Sequence, residues 1–254
     1  MTERTLDRIP TPDHLKLQDN HLSNFLLVAY PSQYDKIIEA KLSALTARVA
    51  VLEGKLPVPP APVPPSGRVV WDITVSLDQE AEGECVGHGW AHFIAASPNP
   101  NPIVGTQVKS NPTAEHLYER AQVFDGATPD EQSGASVGGG AKAAAELGTI
   151  VSSHWSSNLL DIKNTILNHG PVVMGTDWYH SMMTPDANGQ VHVSGSVAGG
   201  HCYLIIGYEA ATDLYLIHNS WGSGWGHNGD ATISGTDLAS LLASQGEAWF
   251  AVKK

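Results

Sequence analysis

The stretch Gly200-His201-Cys202-Tyr203-Leu204-Ile205-Ile206-Gly207-Tyr208, followed after a short turn by His218-Asn219-Ser220-Trp221-Gly222, decides how this sequence is read. Cys202 to Tyr208 is a short apolar, β-prone run, and Leu214 to His218 is a second one closed by Asn219. Adjacent antiparallel strands of this kind set His201, at the edge of the first strand, beside Asn219, at the end of the next. An asparagine oxygen accepts a hydrogen bond from imidazole and fixes its tautomer, and Trp221 shields such a bond from water. Gly199-Gly200 leaves room for close approach just before the histidine.

A histidine held in this way acts as an acid/base and needs a nucleophile. The chain has twelve histidines but two cysteines, Cys85 and Cys202. Cys85 opens an apolar segment running to about Ala96 that reads as a buried helix, so the helix dipole and free N–H groups favour its thiolate. The alternative reading is a Cys85–Cys202 disulfide or an inert core thiol. Cys202 reads as a core residue.

Outward from these motifs, Thr113 to Phe124 reads as a helix capped by the threonine, Ser136 to Leu147 as one stopped by Gly148, and Asp161 to His169 as one ending at Gly170. Strands are expected at 172–176, 190–194, 202–208, 214–218 and 230–234. Helices first and strands second give an α+β fold of two lobes, with a helical lobe led by the Cys85 helix and a cleft between them.

The first 66 residues differ in character. Residues 1–31 form a polar arm with Pro10, Pro12 and Pro31. Residues 32–56 are helical, Ile38, Leu42, Leu45, Val49 and Leu52 making a short heptad seam that either pairs with a second copy or docks as one amphipathic helix. Residues 57–66 continue a run, LPVPPAPVPP from Leu56 to Pro65, that forms a stiff spacer. Residues 67–254 are then the folded domain.

With 42% hydrophobic and 16% charged residues the chain reads as globular, and its formal charge of −12 disfavours nucleic acid and anionic membrane as partners. No run reaches the length of a membrane span and no secretory signal is recognisable, so the expected location is the cytoplasm or a phage particle that delivers the protein. His88 and His92 share a helix face at a metal-compatible spacing, but HGWAH lacks the glutamate of a helical zinc peptidase motif. Gly138-Gly139-Gly140 lacks the Lys-Ser/Thr of a phosphate loop. Neither a metal nor another cofactor is expected.

GHCYLIIGY and HNSWGSGWGHNGD resemble the histidine and asparagine segments of the papain-like cysteine peptidases. DQEAEGECVGHG, residues 78–89, agrees: Gln79 stands six residues before Cys85, at the spacing of the family's oxyanion-hole glutamine. The resemblance covers roughly residues 68–254. It implies a papain-like fold and peptide-bond hydrolysis, with Cys85 as nucleophile, His201 as proton carrier, Asn219 as its orienting partner, and Gln79 and the Cys85 amide holding the oxyanion of a thioester-forming reaction. The segment Gly134 to Ala143 is similar to the stretch whose backbone pairs with an extended peptide. Gly170-Pro171-Val172 matches a Gly-Pro-Val that sets Gly175 at the wall of the main specificity pocket, or else is simply a buried strand. Gly134, Ser136, Gly175 and Trp221 are therefore the substrate-binding candidates.

Two departures stand out: Val86 replaces the family's tryptophan and Glu82 replaces a disulfide cysteine. These changes, with Leu117-Tyr118-Glu119-Arg120-Ala121-Gln122, resemble the shorter bacterial and phage branch. The expected partner is a peptide or protein substrate, with a homo-oligomer formed through residues 32–56. RIPTPDH, Arg8 to His14, either lies across the cleft or serves as a tether. Two other readings keep the same fold: a catalytically vestigial binding module of an assembly, and acyl transfer from the thioester to an amine.

Overall fold

A computed structural model describes residues 6, 8–11, 67–98 and 111–254. The heptad segment and the proline-rich spacer lie outside the described residues.

Five α-helices and eight strands are described: α1 (Cys85–Ala95), α2 (Pro112–Phe124), α3 (Val137–Glu146), α4 (Leu159–Asn168) and α5 (Gly235–Ala243), with β1 (Arg68–Val70), β2 (Ile150–Ser156), β3 (Val172–Tyr179), β4 (Gln190–Val191), β5 (Val197–Glu209), β6 (Leu214–His218), β7 (Asp230–Ser234) and β8 (Glu247–Lys253). The strands join in one eight-stranded sheet, in the order β2-β8-β3-β5-β6-β7-β4, with β1 on β5. Neighbours are antiparallel except β4 and β7.

The central strands are buried on both faces, which explains their nearly continuous apolar sequence. Along β5, Cys202, Leu204 and Ile206 enter one core with Trp90, Phe93, Leu117 and Trp249, while Tyr203 and Ile205 enter a second core with Met174, Trp178, Ile162 and Leu238. Period-two alternation thus assigns one face to α1, α2 and α3 and the other to α4 and α5. This is the expected α+β, two-lobe arrangement.

Boundaries differ in instructive ways. The cap of α2 is Asn111, whose side chain accepts from the Thr113 and Ala114 amides, rather than Thr113, because Pro112 takes the first helical position. Ser136, read as the first residue of its helix, is instead the cap of α3, accepting from the Gly139 amide. β5 begins at Val197, five residues earlier than its apolar run, because backbone pairing with β3 continues through Gly199 and Gly200. β2 and β8 frame the helical lobe and interrupt a simple helices-then-strands order. α5 was not anticipated.

α1 meets α2 at Gly87, where an added Cβ would fall 2.1 Å from the Ala114 carbonyl oxygen and 2.8 Å from the Tyr118 Cβ. Backbone cannot yield there as a flexible side chain would. Gly87→Ala should therefore destabilise the fold by about 1–3 kcal/mol, lowering the melting temperature. An unchanged melt would mean the helices do not pack this closely.

Candidate functional site

The site draws on the segment before α1, the first turn of that helix, strand β5 and the residues just after β6. Cys85 is the first residue of that helix and is fully buried, as is every residue of α1. At a helix N-terminus the partial positive charge of unsatisfied amides favours thiolate. Cys85 and Cys202 are not joined in a disulfide. Instead α1 crosses β5 at Gly89, where an added Cβ would lie 2.7 Å from Cys202 Sγ. One helical turn separates Gly89 from Cys85, so the crossing brings the nucleophile candidate alongside the strand that carries His201.

His201 and Asn219 meet as the strand pairing requires. His201 Nε2 lies 2.8 Å from Asn219 Oδ1, and the same oxygen accepts from the Ser220 amide at 2.8 Å. Because an amide N–H must meet an oxygen, the second bond fixes the orientation of the asparagine. Nε2 must then be the protonated nitrogen, which assigns proton exchange to Nδ1. Trp178 and Trp221 enclose the ring, with centroids at 4.9 and 5.0 Å. Trp221 is thus next to the imidazole, and Trp178, which no local motif marks, joins it there.

Gln79 ties the two halves together. Its amide donates to the Ser220 carbonyl at 2.9 Å, its Oε1 accepts from Ser220 Oγ at 2.6 Å, and its Nε2 donates to the Glu82 carbonyl at 2.8 Å. The loop before Cys85 is thereby fastened to the residue after Asn219. His92, once a metal candidate, accepts from the Leu77 amide at 3.0 Å and packs against His218 at 4.5 Å. That contact supports the strand-like segment that delivers Gln79.

Charge near the thiol is unusual. Burial, and then Glu82, push the Glu84 carboxyl up to about 8. Burial pulls His88 down to about 4. The 3.8 Å approach of His88 Nδ1 to Glu84 Oε2 is therefore a contact of neutral groups at neutral pH, and Nδ1 lies 3.1 Å from the Glu84 carbonyl oxygen. A neutral Glu84 does not oppose a thiolate at the adjacent residue. Because the folded state retains a proton on Glu84 that the unfolded chain releases above the ordinary carboxylate range, stability should fall as pH rises from about 4.5 to about 8. The slope is at most about 1.4 kcal/mol per pH unit, and chemical denaturation of Glu84→Gln across this range should give a flatter profile than the parent. Parallel profiles would refute the assignment.

Two of the substrate-binding candidates, Ser136 and Gly175, lie against an N-terminal arm. Arg8 N–H donates to the Gly200 carbonyl at 3.0 Å and Ile9 N–H to the Ala135 carbonyl at 3.1 Å, with Ile9 bridging Ser136 in parallel fashion. Thr11 Oγ1 accepts from the Gly138 amide at 2.9 Å. The arm therefore joins the α3 side of the cleft to β5, one residue from His201. The space over Gly199 and Gly200 is filled by it: Cβ atoms there would fall 2.5 Å from the Leu6 oxygen and 2.1 Å from the Arg8 oxygen. Of the two readings of RIPTPDH, the described residues Arg8 to Thr11 lie across the cleft. Gly134 supports this wall, its amide donating to the Tyr118 hydroxyl at 3.1 Å.

Gly175, on β3, presents its carbonyl to Arg8 at 2.5 Å. Glu247, its cross-strand partner on β8, was not singled out from sequence. The only local signal was an acidic residue opening an apolar strand, Glu247-Ala248-Trp249-Phe250, which commonly marks a solvated end.

A helical layer holding the cysteine and a sheet holding histidine and asparagine make a papain-like fold, and solved structures share it. Xylellain, a cysteine protease from Xylella fastidiosa, aligns over 78% of this chain and 91% of its own with a TM-score of 0.59 at 17% identity. A procathepsin B S9 from Trypanosoma congolense aligns over 72% and 73% with a TM-score of 0.54 at 15% identity.

Residues 131–243 match the model of papain family cysteine proteases. A cathepsin B-like cysteine proteinase of Schistosoma japonicum is 39% identical over 70 residues, 27% of this chain and 20% of that protein. Cathepsin B-like cysteine proteinase 3 of Ostertagia ostertagi is 36% identical over 75 residues, 29% and 43% respectively. The chain thus spans less than half the length of these relatives. They are eukaryotic, and do not carry the expected bacterial or phage branch.

Proposed function

We propose that the protein is a cysteine endopeptidase whose Cys85, His201 and Asn219 hydrolyse peptide bonds through a thioester. The observation that carries this reading is the 2.8 Å bond from His201 to Asn219, oriented by the Ser220 amide, beside a helix that begins with a cysteine. The Cys85 thiolate adds to the scissile carbonyl carbon, and the oxyanion is met by the Cys85 amide and the Gln79 side chain. His201 gives its proton to the amine as the C–N bond breaks. Water, deprotonated by the same imidazole, then hydrolyses the thioester and restores the thiol.

The experiment is iodoacetamide labelling alongside cleavage of a peptide library, with Arg8→Ala included to loosen the arm. Labelling of Cys85 faster than a model thiol, lost in Cys85→Ala and slowed in His201→Ala, supports the reading. Slow labelling with no peptide cut refutes it. Addition of a competing amine separates hydrolysis from acyl transfer by its products.

The same reading assigns the heptad segment 32–56 and the spacer 57–66 to tethering and self-association, in a protein of the shorter bacterial or phage branch carried by an assembly such as a phage particle. The seam of Ile38, Leu42, Leu45, Val49 and Leu52 supports it. Sedimentation of the full chain and of Leu42→Asp/Leu45→Asp tests it, an equal monomer mass for both removing the oligomer.

A further inference from the structure

At the opposite end of α1 from Cys85 lies a cavity of about 120 Å³, lined by Phe93, Pro98, His169, Pro171, Phe250 and Lys253. The 11 residues of the helix put it about 15 Å from the thiol, outside the reacting groups described above. Its wall stays low at Gly170, where an added Cβ would meet Pro98 Cδ at 3.3 Å and Phe250 Cε2 at 3.7 Å, two of the lining groups. The space is thus one that a side chain would otherwise occupy.

One cation stands in this apolar lining. Lys253 Nζ donates to the Ile94 carbonyl at 3.4 Å and to the Ala96 carbonyl, both at the C-terminal end of α1, and lies 4.9 Å from the centre of the Phe93 ring. An ammonium has three donors, and these two acceptors are dipoles that carry only partial charge. Among the described residues no carboxylate forms an ion pair with it. Burial draws the ammonium down to about 8, and no neighbouring charge offsets that effect. His169 adds no second charge at neutral pH, since burial lowers its imidazole as well.

A partly enclosed cation with a donor to spare favours an anion that completes its pairing. The cavity restricts which one. A single positive charge matches a single negative one, whereas a doubly charged phosphate or sulfate would shed water against rings that return no hydrogen bond. A carboxylate on an apolar tail suits both halves of the site: its oxygens accept from Lys253, and its tail replaces water against Phe93 and Phe250. The volume admits a tail of about three to six carbons, an engineered cavity of about 150 Å³ being enough for benzene.

We infer that this cavity is a binding site for a small organic monocarboxylate, with Lys253 as the residue that pairs with the anion and Phe93 and Phe250 as the walls for its tail. The site is separate from the peptidase reading and stands whether or not Cys85 is a nucleophile.

Isothermal titration of the full chain at pH 7 and fixed ionic strength, with butyrate and benzoate against butyramide and benzamide, reads charge and tail separately. The carboxylates should bind with Kd of about 0.1–1 mM, at least about tenfold more tightly than their amides. A chain of formal charge −12 has no general preference for anions, so such a difference requires a local cation. Lys253→Met, which keeps the apolar stem, should weaken carboxylate binding at least about tenfold and leave the amides within about threefold. Should that variant fold poorly, acetylation of the wild type by acetic anhydride, read lysine by lysine by mass spectrometry, serves in its place. Saturating benzoate should slow acetylation of Lys253 by about fivefold or more and leave the exposed Lys142 unchanged.

Equal affinity for acids and amides, carboxylate binding undiminished in Lys253→Met, or no protection of Lys253 overturns the site. Failure of all four compounds to bind up to about 20 mM does the same.

Discussion

Replacing Cys85 with alanine, in a chain whose arm has been loosened by Arg8→Ala, should lower kcat/KM for a cleavable peptide by at least about 10⁴-fold. In the proposed reaction the thiolate forms the bond that divides the chemistry into two easier steps, and no neighbouring group can take its place: Glu84 is held protonated below about pH 8 and Cys202 lies buried under α1, where desolvation raises its thiol well above the ordinary range. His201→Ala should fall by a comparable amount, because both residues act as one unit and the loss of either removes most of what the pair supplies. The double variant should be hardly worse than either single one. Single-turnover assays with active-site titration check this, and losses that simply multiply would mean that the two residues do not act together.

The strand pair carrying this unit was legible because two independent patterns coincide. Apolar runs at 202–208 and 214–218 specify neighbouring strands, and the polar residues at their ends, His201 and Asn219, then have one place to meet. The helix at Cys85 was equally plain, since an unbroken apolar stretch of its length suits a helix buried on all sides. By contrast, β2 has a mixed surface: in Ile150-Val151-Ser152-Ser153-His154-Trp155-Ser156 the middle residues are only partly buried, so neither period two nor a continuous apolar run emerges. α5 begins with Gly235-Thr236-Asp237, a turn-like start whose capping residue, Ser234, closes a strand.

One buried ion pair was hidden for a different reason. Arg8 and Glu247 are 239 positions apart in sequence, and each sits in a local setting that normally faces water, a proline-flanked arm and the first residue of a strand. Only the fold places the guanidinium against Gly175, and that glycine, which could be read either as a pocket wall or as a plain strand residue, gains its meaning from that partner. Local pattern reports which face of an element is covered. It does not report what covers it from the far end of the chain.

Gln79→Ala should cost about 10² to 10³ in kcat, the amount associated with losing one donor to a tetrahedral oxyanion. In the resting structure its Nε2 donates to the Glu82 carbonyl, and its Oε1 is gripped by Ser220 Oγ, so the amide plane is fixed from the asparagine side of the site. Ser220 accordingly orients two groups: its backbone N–H fixes Asn219, and its hydroxyl fixes Gln79. Gln79→Glu offers the sharper comparison. A carboxylate preserves the size and the Ser220 contact but supplies no N–H and adds negative charge where the oxyanion develops, so it should fall further than alanine, while KM changes by less than kcat. A Gln79→Glu enzyme that retained most of its turnover would show that the side chain holds the loop before Cys85 and does not touch the reacting oxygen. Ser220→Ala then provides the control: it loosens the amide without removing its donor, and its expected loss of kcat is smaller than that of either Gln79 variant.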